Sequence, residues 1–358
     1  MIINALKCIV YSMVLIGTLY LNNTYGQVKV GAYYFDGWTG HYPIHITKAL
    51  TTSFADREPK WGWITSSPKI MDEQINLASD ANLSFFDFCW YFDKTSYKNV
   101  ALNNALGYYL ASPNKQKLEF CLMVDNTGAF KIKADDWDNA VNQWLPLLKD
   151  KMYVKVNNKP LLTFFSVPAL LTAFKTPEGV AAALEGLRKS AVNSGLVGVT
   201  IAACVYADMN SIILAQKCGF DVLTGYNYHS DGFKGALRPL SITSMQAAES
   251  VVWQQITSHS SLKYIPAVTL NWDPQPWANA KNNYATSPYY SGFSKSSVYT
   301  SVTQCIDWVK QNGPNTTTEK VMVLYAWNEY GEGAWLTPSK RMGNDLLVAV
   351  KDAINASH

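Results

Sequence analysis

Two patterns of apolar and polar residues alternate along the chain from Val28 onwards. Short runs of β-branched and aromatic residues are typical of strands covered on both faces, and longer amphipathic stretches are typical of helices. The predicted strands are 28–35, 83–91, 118–125, 160–167, 197–206, 221–228, 263–270 and 320–327. The predicted helices are 68–81, 99–111, 135–149, 177–193, 210–218, 244–259, 298–311 and 345–354. Because strands that alternate with helices pair in parallel through crossovers, these eight rounds predict an α/β fold, a single (β/α)8 TIM barrel. A doubly wound open sheet is the alternative.

Two long segments without a helical pattern interrupt the alternation, residues 36–67 after the first strand and residues 271–297 after the seventh. Both follow the carboxyl end of a predicted strand, which is the face on which barrel enzymes build their sites. Both are rich in Trp, Tyr and His. We expect them to be loops that shape a substrate site, although some of these rings have the simpler role of packing on the barrel itself.

Residues 1–26 have the pattern of a secretory signal peptide. Lys7 precedes an apolar run from Cys8 to Leu21, and small residues follow near Gly26. An uncleaved anchor is the alternative, but the run is short for the roughly 20 residues of a membrane span. We expect a mature catalytic barrel of residues 27–358, without a membrane span, that is secreted, periplasmic or on the cell surface. Its five cysteines are widely spaced and predict free thiols.

Composition narrows the choice of partner. The 30 basic and 27 acidic residues give a formal charge of +3, which does not predict binding to nucleic acid or to an anionic membrane. The sequence contains no dinucleotide fingerprint, phosphate-binding loop or metal-ligand spacing, so we predict no cofactor and no metal. The 12 Trp and 21 Tyr exceed what a core requires, and clefts that bind carbohydrate use such a surplus. The oligomeric state is left open.

Two acids follow the last predicted strand, Glu329 and Glu332. Residues three apart in a strand point to opposite faces, so a shared pocket requires a break in the pleat, which we assign to Gly331. Two carboxyl groups held together suit the cleavage of a glycosidic bond. Exposed acids in a solvated turn are the simpler interpretation, but the neighbouring aromatic and amide side chains favour a site. We therefore predict Glu329 and Glu332 as the catalytic pair.

Polar and aromatic residues recur at the ends of the other predicted strands and in the two inserts. A barrel brings strand ends together, so these residues are candidates for substrate binding. They are Tyr34, Asp36, Trp38, Asp87, Trp90, Asp125, Asn126, Tyr226, Tyr228, His229, Asn271, Trp272, Asn328 and Trp335. A buried, hydrogen-bonded structural role is the alternative for Asp87 and for His229.

The segment Trp327-Asn-Glu-Tyr-Gly-Glu-Gly333, followed by Ala-Trp-Leu-Thr-Pro338, resembles the terminal motif of the glycoside hydrolase family 99-like, or WbsX-like, domain. It is more distantly similar to the family 99 endo-α-mannosidases. Tyr330 stands where the family usually has Trp, and Gly331 stands where family 99 enzymes have His. Segments 32–34, 71–78, 86–91 and 118–126 resemble the same family in the same order.

The resemblance implies a retaining hydrolase that cleaves an α-linked polysaccharide or glycan, with an endo-acting, mannan-like activity as one form of it. The acid that matches Glu332 acts as general acid and then as base. The acid that matches Glu329 assists attack by the 2-hydroxyl of the sugar, which gives a 1,2-anhydro intermediate. Two alternatives remain, a non-catalytic glycan-binding protein on the same barrel and a glycosyltransferase-type enzyme of polysaccharide assembly. A glycosyltransferase that uses a nucleotide-sugar donor would need a Gly-rich phosphate loop or a metal-binding DxD motif, and neither is evident in the sequence.

Overall fold

The computed structural model describes residues 27–235 and 239–357, so the predicted signal peptide lies outside the described residues. The strands are β1 (Lys29–Tyr34), β2 (Phe85–Tyr91), β3 (Glu119–Asp125), β4 (Lys155–Val156), β5 (Lys159–Phe164), β6 (Thr200–Cys204), β7 (Val222–Thr224), β8 (Leu240–Ser241), β9 (Lys263–Tyr264), β10 (Ala267–Thr269), β11 (Tyr290–Ser291), β12 (Val321–Tyr325), β13 (Asn328–Glu329) and β14 (Ala334–Trp335). The helices are α1 (Lys48–Thr51), α2 (Pro68–Asp80), α3 (Asn104–Ala111), α4 (Trp137–Leu148), α5 (Val167–Phe174), α6 (Pro177–Asn193), α7 (Met209–Lys217), α8 (Ile242–Ser258), α9 (Lys295–Gln311) and α10 (Asp345–Ala356).

The strands of the main parallel sheet and the long helices overlap the predicted ranges, and two of the differences have local causes. The strand predicted to reach Val167 ends at Phe164, because the Ser166 side chain accepts a hydrogen bond from the backbone of Ala169 and starts α5. The first insert, predicted to be non-helical, contains α1. The strand predicted over 263–270 is divided into β9 and β10 at Pro266, which has no backbone N–H to donate.

The main sheet is parallel and strongly curled. Its strands follow the order β10, β12, β1, β2, β3, β5, β6, β7, β9, and β4 adds to β5 in the antiparallel sense. The two ends of this order, β9 and β10, are separated only by Ile265 and Pro266. β9 pairs with β7 and β10 pairs with β12, so one segment of chain contacts both edges of the sheet. The sequence therefore forms an α/β fold in which the carboxyl ends of the parallel strands face one side.

Large aromatic side chains fill the core on both faces of the sheet. Tyr33 points inside the curl, where its hydroxyl donates to the carbonyl of Gly225 at 2.6 Å. Trp90 packs between the sheet and the helices, with its ring 5.5 Å from that of Trp144. Burial of such rings on both faces explains why the strands appear in the sequence as continuous apolar runs. Across the described ranges, no helix is long and apolar enough to cross a bilayer.

Candidate active site

The two predicted catalytic acids lie in a tight turn after β12. β13 and β14 pair in the antiparallel sense, with Glu329 opposite Ala334. Between them the backbone N–H of Glu332 donates to the carbonyl of Glu329 at 3.2 Å. This turn breaks the pleat, as a shared pocket requires. The residue with a positive φ is Gly333, at +77°, and the assignment of that break to Gly331 is wrong.

Gly331 is required for a different reason. A Cβ atom at this position would lie 2.0 Å from Cε2 of Trp277, so the indole ring packs directly on the backbone of the turn. Trp277 belongs to the second insert, and its Nε1 donates to the carbonyl of His45 in the first insert at 3.2 Å. The two inserts therefore meet over the turn that carries the acids.

Hydrogen bonds from both inserts fix the backbone of this acid turn. Arg57 Nη1 donates to the carbonyl of Tyr330 at 3.0 Å, and the N–H of Asp273 donates to the carbonyl of Glu332 at 2.7 Å. Asn271 Nδ2 donates to the carbonyl of the glycine after Glu332 at 2.7 Å. Arg57 also forms a buried ion pair with the Asp273 carboxylate. The position of Glu332 thus depends on residues far away in the sequence.

Glu329 is buried, with 4% of its surface exposed. Its Oε1 accepts a hydrogen bond from the Tyr226 hydroxyl at 2.7 Å. Its Oε2 is also buried and has no hydrogen-bond partner among the described residues. Burial raises the pKa of Glu329 to about 8, and the bond from Tyr226 acts in the opposite direction. One oxygen of this carboxyl is therefore held by the protein, and the other is free for a ligand.

Glu332 is partly exposed, and its Oε2 accepts a hydrogen bond from the Tyr325 hydroxyl. Desolvation raises the pKa of this carboxyl to about 8 as well. The rings of Tyr325 and Tyr226 meet edge to face, with centroids 4.8 Å apart. Each acid therefore has a tyrosine donor, and the two donors are packed against each other.

Two adjoining cavities meet at Glu332. The first, which we call the acid cavity, has a volume of about 180 Å³ and is lined by Phe35, His45, Cys89, Tyr91, Met123, Asp125, Phe165, Tyr226, Trp277, Glu329 and Glu332. The second cavity has a volume of about 200 Å³ and is lined by Phe165, Cys204, Val205, Tyr206, Tyr226, Asn227, His229, Ser230, Trp272 and Glu332. Glu329 therefore contacts only the acid cavity, whereas Glu332 contacts both.

A neutral histidine lies in the wall of the second cavity. The His229 ring stacks on Trp272, with centroids 3.6 Å apart and planes 12° from parallel. Its Nδ1 lies 2.5 Å from Oδ1 of Asn227. Burial lowers the pKa of His229 to about 4, so the ring is uncharged at neutral pH and Nδ1–H donates to the amide oxygen. The second cavity therefore presents polar but uncharged groups beside Glu332.

The family model described as "Glycosyltransferase WbsX" matches residues 63–350. The chain belongs to the WbsX family. This confirms the resemblance predicted from the terminal motif. No curated protein matches the sequence.

Solved structures of glycoside hydrolases resemble this WbsX protein in fold. A GH99 endo-alpha-mannosidase from Bacteroides thetaiotaomicron, in complex with BIS-TRIS-propane, is 12% identical with a TM-score of 0.63, over 91% of this chain and 96% of that chain. A glycoside hydrolase-like protein is 11% identical with a TM-score of 0.65, over 92% and 94%. GH5_18 from Streptomyces cattleya, in complex with GlcNAc, is 10% identical with a TM-score of 0.52, over 92% and 80%. At these identities the likeness shows the fold.

Six of the predicted site residues line the cavities of this WbsX protein, namely Asp125, Tyr226, His229, Trp272, Glu329 and Glu332. Asp125 is partly tied down, because its Oδ1 accepts from the Thr127 hydroxyl at 2.6 Å and from the Thr127 backbone at 3.0 Å. Burial raises the pKa of Asp125. The acid cavity thus contains a third carboxyl group, at the end of β3 and three strands from β12 in the strand order.

Ten predicted residues line neither cavity, namely Tyr34, Asp36, Trp38, Asp87, Trp90, Asn126, Tyr228, Asn271, Asn328 and Trp335. Several of them join neighbouring strand ends. Trp38 Nε1 donates to the carbonyl of Asn328 at 2.8 Å, and Asn328 Oδ1 accepts from the backbone of Phe35 at 2.9 Å. The Asn126 amide exchanges two hydrogen bonds with the backbone of Ser166. Tyr34, Trp90, Tyr228 and Trp335 are buried among other aromatic rings or hydroxyls.

Two predicted acids are buried away from the cavities. Asp36 accepts from the Ser66 hydroxyl at 2.9 Å and from the backbone of Ala105 at 2.7 Å, near the start of α3. Asp87 points into the curl of the sheet, in register with Tyr33 of β1 and Cys121 of β3. Burial raises the pKa of each to about 7. Neither acid lines a cavity, and Asp87 has the burial of the alternative structural role but no hydrogen bond to its Oδ1 among the described residues.

Sequence reasoning missed residues that reach the site from the inserts or from strand interiors. Trp277 and His45 belong to the inserts that the sequence predicts to shape the site, and both line the acid cavity, whereas Arg57 carries no motif. Phe165 and Tyr206 lie within two residues of the ends of β5 and β6. The search for candidates at strand ends would have found them if it had included every aromatic residue there. Cys89 lies inside β2, and only the burial pattern of the folded strand shows that it faces the acid cavity.

Proposed function

We propose that this WbsX protein is a secreted glycoside hydrolase that cleaves an α-linked polysaccharide or glycan with retention of configuration. The observation that carries the proposal is the position of the two acids. Glu329 and Glu332 share one cavity, and only Glu332 reaches the second. A bond that crosses from one cavity to the other would pass Glu332. Likeness in fold to glycoside hydrolases supports the reaction class.

The fold part of the proposal is a single catalytic domain, residues 27–358, on a (β/α)8 barrel. Support comes from β9 and β10, which pair with opposite edges of the sheet although only two residues separate them. Read as one interrupted strand, they leave a ring of eight parallel strands. Closure of this kind places all eight strand ends around one site, where the acid turn follows the last strand.

The acids take different roles in the proposed reaction. Glu332 donates its proton to the departing glycosidic oxygen as the bond from that oxygen to carbon one breaks. The Glu329 carboxylate takes the proton of the 2-hydroxyl while that oxygen bonds to carbon one, which gives the 1,2-anhydro sugar. Water then opens the ring at carbon one. It gives a proton to Glu332, and the 2-oxygen recovers its proton from Glu329, so the configuration is retained.

The positions of the two carboxyl groups support this division. Burial raises the pKa of both to about 8, so both are mainly protonated at neutral pH and the pair gains its first negative charge as the pH approaches 8. The Tyr226 hydroxyl lowers the pKa of Glu329 and favours the charge there. The Tyr325 hydroxyl donates to Glu332 in the same way, so the roles are assigned by position. Glu329 is the base, because its Oε2 is buried in the acid cavity with no partner among the described residues, and Glu332 is the acid, because it lies where the two cavities meet.

Glutamine substitutions test the proposal. The mature protein, Glu329→Gln and Glu332→Gln would each be incubated with α-mannans, α-glucans and complex glycans. Product mass would be measured, with anomeric configuration followed by proton NMR. We expect retained products from the wild type and none from either variant, with unchanged circular dichroism. Glu249→Gln is the matched control, because Glu249 is equally buried but lines neither cavity. Normal turnover in either site variant would refute the assignment.

The name of the family favours transfer as a second candidate function. The same two acids would serve it if a sugar hydroxyl, rather than water, attacked carbon one. Adding an excess of an acceptor sugar to the same incubations separates the two reactions. Products longer than the substrate, formed at the expense of hydrolysis, would favour transfer.

A further inference from the structure

One aromatic ring at the mouth of the second cavity is exposed to solvent. Tyr206 follows β6 and has 66% of its surface exposed, although it lines this cavity. In contrast, Trp272 in the same wall is 5% exposed and has one face covered by His229. Tyr206 is therefore the ring of this wall whose surface is open to a ligand outside the cavity.

The backbone at Tyr206 is fixed although its ring is exposed. Its N–H donates to the Ser211 hydroxyl at 2.9 Å. The backbone of Ser211 in turn donates to the Asp208 side chain, which caps α7, at 2.9 Å. The backbone that carries the ring is thus fixed beside the cavity, which suits a binding platform, since ordering a mobile loop would cost free energy on binding.

Two further apolar side chains shortly after Tyr206 in the sequence are exposed. Met209 is 48% exposed and Ile213 is 36% exposed, and they lie one turn apart on the same face of α7. The helix that follows Tyr206 therefore presents further apolar surface to solvent. Pyranose rings present C–H faces that pack on aromatic rings, whereas their hydroxyls remain in water.

We infer that Tyr206 is a stacking platform for a second sugar on the leaving-group side, so that the site takes an extended chain. The inference rests on the proposed function, because the position of Glu332 between the cavities identifies the second cavity as the leaving-group side. The sugar next to the cleaved bond fills that cavity, and the following sugar lies on the exposed Tyr206 ring. The substrate class is then an oligosaccharide or polysaccharide with at least two sugars beyond the cleaved bond.

The test uses α-mannan and α-glucan oligosaccharides from disaccharide to hexasaccharide. Tyr206→Ala removes the ring, Tyr206→Phe keeps it, and Tyr299→Ala is the matched control, because Tyr299 is 37% exposed on α9 and lines neither cavity. We expect Tyr206→Ala to lower kcat/KM about tenfold for the longer chains, equivalent to about 1.4 kcal/mol, mainly through KM. With the disaccharide, Tyr206→Ala should have the kcat/KM of the wild type. Tyr206→Phe and Tyr299→Ala should have it at every chain length.

The outcomes separate this inference from the proposed function. If the wild type cleaves these sugars and Tyr206→Ala leaves kcat/KM unchanged, or lowers it equally, at every chain length, the stacking role of Tyr206 is refuted and the proposed hydrolase is not. If the wild type does not cleave these sugars, their binding is measured by calorimetry instead. Length-dependent binding that Tyr206→Ala abolishes would then support the platform and refute hydrolysis. A wild type that neither cleaves nor binds these sugars would overturn both.

Discussion

The hydrogen bond from Tyr226 to Glu329 should set the acid limb of the pH profile. The Tyr226 hydroxyl lies 2.7 Å from Oε1 of Glu329 and stabilises the charged form of this carboxyl. Burial acts in the opposite direction and raises the pKa of Glu329 to about 8. Tyr226→Phe removes this donor and leaves the ring that packs on Tyr325. Because the lost bond favours the ionised carboxyl, the substitution should raise the pKa of Glu329 further.

The size of the effect follows from the strength of such bonds. A hydrogen bond to a charged group contributes about 1.5–3 kcal/mol. One pKa unit corresponds to about 1.36 kcal/mol, so the pKa of Glu329 should rise by about one to two units. In the wild type, Glu329 gains its charge as the pH rises toward 8. In Tyr226→Phe the same ionisation occurs at higher pH, and activity at pH 7 should fall about 10- to 100-fold.

The assay is kcat/KM against pH on whichever glycan the wild type cleaves. Tyr228→Phe is the control, because the Tyr228 hydroxyl pairs with that of Tyr264 at 2.8 Å and contacts neither acid. Its acid limb should coincide with that of the wild type. An unshifted acid limb in Tyr226→Phe would refute the claim that this bond sets the charge on Glu329. A uniform loss at all pH values would point to a role for the hydroxyl in binding instead.

Two further substitutions test packing and pH-dependent stability. Gly331→Ala places a Cβ against Trp277 and should lower activity at least tenfold and the free energy of unfolding by about 1–3 kcal/mol. The control Gly186→Ala adds its Cβ on open helix surface and should leave both quantities unchanged. Equal melting temperatures and activities in the two variants would contradict this prediction. Burial raises the pKa of Glu249 from 4.5 to about 8 while its carboxyl accepts from the backbone of Thr269. Its contribution to stability is therefore complete below pH 4.5 and is lost as the pH rises toward 8. Glu249→Gln should flatten that decline in urea unfolding measured at several pH values, and an unchanged slope would exclude Glu249 as its source.

The periodicity of the sequence predicts the sheet well because its strands are covered on both faces. Helix α6 is found at the predicted bounds, since Thr176 caps it and Pro177 occupies its first position. Helix α5 was missed for the opposite reason. It follows β5 after two residues, so its apolar side chains continue the pattern of the strand, and only the cap at Ser166 marks the change.

The site is predictable only where its chemistry is local in sequence. Glu329 and Glu332 are close together, so a short motif contains both. Arg57 acts on their turn across a separation of 273 residues, and no pattern near Arg57 signals that contact. The sequence pattern also does not give the depth of a side chain inside the curl, since Asp87 shares a face of β2 with Cys89 but only Cys89 lines the acid cavity. Asp87 points into the sheet interior, where burial raises its pKa to about 7.

The structure leaves one buried oxygen at the centre of the site without a partner. Glu329 Oε1 is satisfied by Tyr226, but Oε2 is not, although both are enclosed. An unsatisfied buried acceptor costs about 1–3 kcal/mol, more when it is charged. Hydrogen bonds from Arg57 and Asp273 hold the backbone of the acid turn, which opposes a shift that would relieve this cost. A ligand hydroxyl that donates to Oε2 recovers the lost hydrogen bond on binding. In the proposed reaction that donor is the 2-hydroxyl, whose proton Glu329 then removes.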